Sequence, residues 1–245
     1  MNLINKIILA IMLLYGTLLG SEKLAQTGFQ FLSISTDARS GGMADAITTY
    51  HGGSISLHAN PAGLSRQKEL FDLDISMNNW IADIKHSSLT MSYSPSNGEH
   101  GVFGLSFLNV DYGDIQGTMV WDNEMGYIDT ERFDPSAMSL GFGYGRALSE
   151  NFSVGIQMKR AYQYLGRSVV PISDSTNTLM KNTANALAFD FGTIYITDWH
   201  DFTFGMSVRN FSEEVQFAYD GFQLPLTFRI GGSMNLLSAF GISSE

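Results

Sequence analysis

The sequence predicts an all-β chain, a transmembrane antiparallel β-barrel of the outer-membrane kind, on three observations. A short apolar run at the N-terminus is too brief to span a bilayer but suits an export signal. Apolar and small residues alternate with a period of two through segment after segment. The connections between those segments are alternately short and long, the asymmetry of outer-membrane barrels. Composition agrees: 245 residues at 44% hydrophobic and 16% charged exclude a disordered or coiled-coil protein.

The leader, residues 1–20, carries Asn5 and Lys6 before an apolar run from Ile7 to Leu14 that continues to Leu19, ahead of Gly20 and Ser21. This is the order of a secretory signal peptide cleaved after Gly20. A membrane anchor is the alternative, but the uninterrupted stretch falls short of the roughly 20 residues a spanning helix needs. No later stretch approaches that length. The exported chain is therefore read either as a soluble β protein or as a barrel in the bacterial outer membrane.

The barrel region, residues 70–245, is predicted to hold eight strands at 70–77, 86–94, 101–110, 137–147, 152–162, 186–196, 202–210 and 224–234. In the fourth, Met138, Leu140, Phe142 and Tyr144 oppose Ser139, Gly141, Gly143 and Gly145; in the fifth, Phe152, Val154, Ile156 and Met158 oppose Ser153, Gly155, Gln157 and Lys159. The later strands repeat this, with Leu187, Phe189 and Phe191 against Ala188, Asp190 and Gly192, and Phe228 and Ile230 against Arg229 and Gly231. A soluble sandwich also alternates, but its outer face is usually rich in Lys, Glu and Thr. Here the second face is mostly Gly, Ser, Ala and Gln, which suits a crowded lumen and leaves the large apolar face for lipid. Short turns are expected near Asn97, Ser149 and Asp198, and long loops over 111–136, 165–185 and 211–223. Eight strands alone would close on an interior already filled by side chains. The chain's last residues, Phe240 to Glu245, do not form the expected aromatic-terminated strand, so the barrel is read as incomplete at the C-terminus.

Residues 21–69 precede the strands. They contain Ala38-Arg39 with Gly41-Gly42-Met43, then Asn60-Pro61-Ala62-Gly63-Leu64. Tyr112-Gly-Asp-Ile115, Val208-Arg-Asn210 and Leu224-Pro-Leu-Thr-Phe-Arg-Ile-Gly231 follow in order. Together these resemble the PorV/PorQ family, itself similar to the FadL-like outer-membrane proteins. The resemblance implies a larger barrel with residues 21–69 folded inside as a hatch. It also implies a non-enzymatic role in the type IX secretion system, with secreted cargo proteins and a surface sortase as partners beside outer-membrane lipid. The alternative it carries is a FadL-like channel for hydrophobic small molecules.

Other function classes find little support. Acidic residues outnumber basic ones by 24 to 14, a formal charge of -10, which argues against nucleic acid as a partner. The absence of cysteine removes disulfides, thiol catalysis and Cys-based zinc sites. His51, His58, His86, His100 and His200 lack the i, i+4 pairing of a helical zinc site, and neither a Gly-x-Ser-x-Gly elbow nor a Walker loop is present. No cofactor or catalytic residue is expected.

Two groups of residues are the candidates for function. Asp72, Asp74, Lys159, Asp190, Arg209 and Arg229 fall on the predicted lumen face, where opposite charges can pair and hold a plug. Arg39 in the hatch is expected to reach an acidic lumen partner such as Asp190. In the loop after the third strand, Asp111, Asp114, Asp122, Glu124, Asp129, Glu131 and Asp134 surround Trp121, Met125 and Tyr127. The acids lack the ligand spacing of a calcium loop, and the three apolar side chains are candidates either for binding a partner or for packing over the barrel mouth.

Overall fold

Twelve strands and a set of short helical turns make up the described part of the chain. The computed structural model describes residues 27–173, 176–217 and 220–236; the leader and Phe240 to Glu245 lie outside them. The strands are β1 (Phe71–Asn79), β2 (Lys85–Tyr93), β3 (Val102–Asp111), β4 (Ile115–Val120), β5 (Tyr127–Phe133), β6 (Ser136–Ala147), β7 (Phe152–Ser173), β8 (Thr176–Ile196), β9 (Thr203–Ser212), β10 (Val215–Phe217), β11 (Asp220–Phe222) and β12 (Thr227–Ser233). Eight of them form one antiparallel sheet in the order β1-β2-β3-β6-β7-β8-β9-β12. These are the eight segments the periodicity picks out. Among the described strands the sheet is open, with β1 and β12 each paired on one side only.

The sheet has an inverted polarity. Its outward face carries Ile75, Met91, Phe107, Leu140, Met158, Leu187, Phe191, Phe228 and Ile230, all exposed, with Met77 reaching 76%. Among the described residues no second sheet covers this face: the other two sheets are the small hairpins β4-β5 and β10-β11. The opposite face buries Ser88, Thr90, Ser92, Ser106, Ser139, Gln157, Lys159 and Asp190. A water-soluble sheet would turn its large apolar side chains the other way. Near the short turns the outward row becomes aromatic, running Phe71, Tyr93, Phe103, Tyr144 across four neighbouring strands. Phe71 stacks on Tyr93 at 4.9 Å and Phe103 lies 5.2 Å from Tyr144.

Antiparallel order puts three short turns, at 95–98, 149–151 and 198–201, on one rim, opposite the fourth, the β1-β2 connection at 80–84. The long connections share the other, and here the structure corrects the expectation of loops. Residues 111–136 contain the β4-β5 hairpin, and 211–223 the β10-β11 hairpin. The stretch 165–185 is largely a continuation of β7 and β8, which run 22 and 21 residues. Pairing with β6 stops at Tyr164, so β7 and β8 rise past their neighbours. A bulge at Gly166, whose φ of +91° favours glycine, turns the ladder there, and the Phe133 ring of β5 lies where a side chain would be.

Residues 27–70 form no strand of the main sheet. Gly, Pro and Asn break the pattern, and the segment folds as a one-turn helix α1 (Ala38–Gly42) and 3-10 turns at Gln30–Ser33, Ser54–His58 and Pro61–Arg66. Asp37 caps α1 by accepting from the Ser40 N–H at 2.8 Å. The segment lies on the inward, small-residue face of the sheet. Phe29, Phe31 and Leu32 pack over Leu108, Val110 and the inward alanines Ala137, Ala161, Ala184, Ala186 and Ala188, while Leu57 and Leu64 meet Val102 nearer the short turns. Full burial of Phe31 or Leu57 contributes about 1.5–3 kcal/mol relative to leaving it exposed.

Candidate functional site

The small inward residues are the imprint of this N-terminal segment, the one expected as a hatch. A Cβ at Gly155 would land on the Pro61-Ala62 peptide, one at Gly192 on the Asn60 carboxamide, and one at Gly143 on Leu57. Gly145 clears Leu64, and Gly104 clears both Leu57 and Leu64. The glycines therefore thin the wall where the turn Pro61–Arg66 presses against β6, β7 and β8.

Asn60 anchors that turn. Pro61 starts it with its φ already suited to the first helical position, and the Asn60 Oδ1 accepts from Ala62 N–H at 3.1 Å. The fully buried amide then donates toward three carbonyls: Thr48 in the hatch at 2.8 Å, Thr193 of β8 at 3.1 Å and Met206 of β9 at 3.3 Å. One side chain thus joins two wall strands and two parts of the hatch. At the short-turn rim Arg66 donates from Nε to Ser153 Oγ at 3.2 Å and from Nη2 to Ser149 O at 3.3 Å.

The hatch motif divides in two. Asn60, Pro61, Ala62, Gly63 and Leu64 are buried against the sheet, whereas Ala38, Arg39, Gly41, Gly42 and Met43 are exposed. Nothing packs where a Cβ would stand at Gly41 or Gly42. The expected contact of Arg39 with Asp190 is not made; its guanidinium sits 4.8 Å above the Tyr50 ring. Asp190 is instead paired within the sheet. Its Oδ2 accepts from Lys159 Nζ at 2.6 Å in a buried ion pair, and its Oδ1 from Asn210 N–H at 2.7 Å. Gln157, its amide oriented to satisfy its neighbours, donates to the same Oδ2 at 3.2 Å and to Leu57 O at 2.8 Å.

The six charges expected on a lumen face all lie on the sheet's inward face but do not form one group. Lys159, Asp190, Arg209 and Arg229 gather beneath the hatch, while Asp72 and Asp74 stand apart on edge strand β1. Asp72 receives both the N–H and the hydroxyl of Ser54, each at 2.7 Å. The charge link between hatch and wall is made by Arg229, whose Nη2 donates to Asp45 Oδ2 at 3.3 Å, and by Arg209, whose Nη2 donates to Leu32 O at 3.3 Å. Asp45 also accepts from Ser35 Oγ. His58 lies in the same seam. Burial lowers its pKa to about 4, with Arg209 and Lys159 adding to the shift and Asp37 and Asp190 opposing it.

Sequence reasoning missed Asn60 as a multi-strand anchor, and Asp45 and His58 as seam residues. Only the Asn-Pro turn signal was visible for the first; the other two carry no local pattern. Among the described residues no group of three or more His, Asp or Glu could hold a metal ion.

At the long rim, the tip of the β4-β5 hairpin exposes Val120 at 90%, Met125 at 76%, and Trp121 and Tyr127 at about half. The hairpin is steadied by Arg167, which pairs with Glu131 at 3.1 Å. At its base Asp134, which in its protonated form donates to the Asp114 carboxylate and faces the Asp114 and Asp111 charges, is held above its ordinary pKa range. Further round, β8 and β9 shift register between Phe189 and Phe191. A groove of about 500 Å³ opens there, lined by Leu187, Phe189, Phe211 and Val215 with Glu213.

The chain matches no protein-family model and no curated protein sequence.

Proposed function

We propose that the sheet is wall of an outer-membrane β-barrel of the PorV/PorQ type, non-enzymatic, which binds secreted cargo proteins at its long rim for transfer to a surface sortase of the type IX system. The observation that carries this reading is the inverted polarity: large apolar residues outward on every wall strand, small and polar ones inward on a hatch. The outward run Leu187 to Tyr195 extends about 27 Å along its strand, comparable with the apolar band of such barrels, about 25 Å. The aromatic row near the short turns suits a membrane interface. The apolar hairpin tip, rimmed by acids, suits a protein partner better than an anionic lipid surface.

A second reading, a FadL-like channel for hydrophobic small molecules, is favoured by the groove beside the β8-β9 register shift. The test is photo-crosslinking from positions 121 and 127 in native outer membranes, followed by mass spectrometry of the products and of copurifying lipids. Secreted proteins sharing one C-terminal domain are the expected catch. Apolar ligand with no protein adduct would favour the channel, and recovery of the chain from the soluble fraction would overturn both.

A further inference from the structure

The turn at the tip of the β4-β5 hairpin is fixed by its own hydrogen bonds. Trp121 N–H donates to Gly126 O at 3.1 Å, Gly126 N–H to Asn123 O at 3.0 Å, and the Asn123 side-chain amide to Tyr127 O at 2.9 Å. Val120 stands opposite Tyr127 across the two strands. With Trp121 and Met125 they make a group of exposed apolar side chains on an ordered loop. Such a group marks a contact surface, and holding it in place beforehand lowers the ordering cost of binding.

Charge decides what that surface meets. Asp122 and Glu124 lie between Trp121 and Met125 in the turn, and Asp129 shares a face of β5 with Tyr127. All three carboxylates are exposed, and none has an ion-pair or hydrogen-bond partner among the described residues. Arg132 and Arg167 are engaged toward the base of the hairpin, the first donating from Nε to Gln116 Oε1 at 3.1 Å and the second paired with Glu131. Carboxylates interleaved with the apolar groups keep the tip out of hydrocarbon, and anionic lipid repels it. The apolar groups also protrude, Val120 at 90% exposure, so the hollow that takes them up belongs to the partner.

We propose that the tip docks on a protein face whose apolar hollow is edged by Lys or Arg. Trp121 and Met125 enter the hollow, and Asp122, Glu124 and Asp129 pair with its rim. This rests on the reading of the long rim as a cargo-binding element and narrows it: the part of a cargo held there is basic.

The test places a photo-crosslinker at position 125 of the full chain in native outer membranes and maps the adducts to the residue by mass spectrometry. Adducts are expected in partner stretches that carry Lys or Arg, with a yield that falls about tenfold between about 0.05 and about 0.5 M sodium chloride. Asp122→Asn, Glu124→Gln and Asp129→Asn together should lower the yield about tenfold at the lower salt and flatten its salt dependence. Asp198→Asn with Asp201→Asn, on the opposite rim, should change neither. Protein adducts whose yield ignores salt and the triple substitution, or which fall in stretches without Lys or Arg, overturn the basic partner and leave cargo binding in place. An absence of protein adducts from the unaltered chain overturns the cargo reading and this proposal with it. Should the triple variant fail to fold, the salt titration and adduct map of the unaltered chain decide alone.

Discussion

At the scale of single residues, Asn60 couples the N-terminal segment to two strands of the sheet. Asn60→Ala removes an amide shared among Thr48, Thr193 and Met206 carbonyls; it is expected to destabilise the folded chain by about 1–3 kcal/mol, read from the denaturant midpoint. His58 makes stability depend on pH. Its folded value of about 4 lies below the ordinary 6.5, so above pH 6.5 both states are neutral there and nothing is lost. As pH falls from 6.5 to 4 the unfolded chain takes up a proton that the folded chain refuses, and stability declines by about 3 kcal/mol at most. Unfolding midpoints of the wild type and His58→Gln across that window check the sign: the variant's curve should be flatter. Sequence alone offered His58 only as one of five scattered histidines, because a desolvated position is a property of what packs over it.

Among elements, the wall glycines and the 3-10 turn Pro61–Arg66 are two halves of one interface. Gly155→Ala and Gly192→Ala should each cost about 1–3 kcal/mol as overpacking, and both should expose the hatch to trypsin at Arg66. Equal substitution at Gly41 or Gly42, where nothing stands within contact, should leave cleavage unchanged. The β4-β5 hairpin carries the opposite kind of surface, unpacked and apolar. Replacing Trp121 and Met125 together by Ala should lower cargo capture about tenfold or more if the tip is the binding hot spot, measured as crosslinked cargo per mole of barrel, with no change in the unfolding midpoint. The sequence left those two residues open between exposure for binding and packing over the barrel mouth; the structure exposes them at the hairpin tip. The sequence did not reveal that the connection is itself a hairpin, because its strands are short and their mean pattern is polar.

For the whole molecule the inverted polarity makes a prediction that separates a membrane wall from a soluble sheet. Leu140→Arg or Phe107→Arg on the outward face should cost about 2–4 kcal/mol in folding into lipid vesicles, and Asn79→Arg at the edge of the apolar face only about 0–1. On a sheet exposed to water the first two would be neutral or would improve solubility. Among the described strands β1 and β12 are open edges, and strand pairing rather than any single residue governs that property.

What the sequence determined by itself is the set of wall strands, their two faces and the alternation of their connections, since a period of two and turn chemistry are local and survive without tertiary context. It also marked Asn60 to Leu64 as a unit. Only the tertiary structure decided that the small face is small because a hatch lies on it, that Lys159 and not Arg39 answers Asp190, and that Asp45 and His58 belong to the seam. Those pairings join residues up to 184 positions apart, and a charge selects its partner by proximity and desolvation, which no local pattern encodes.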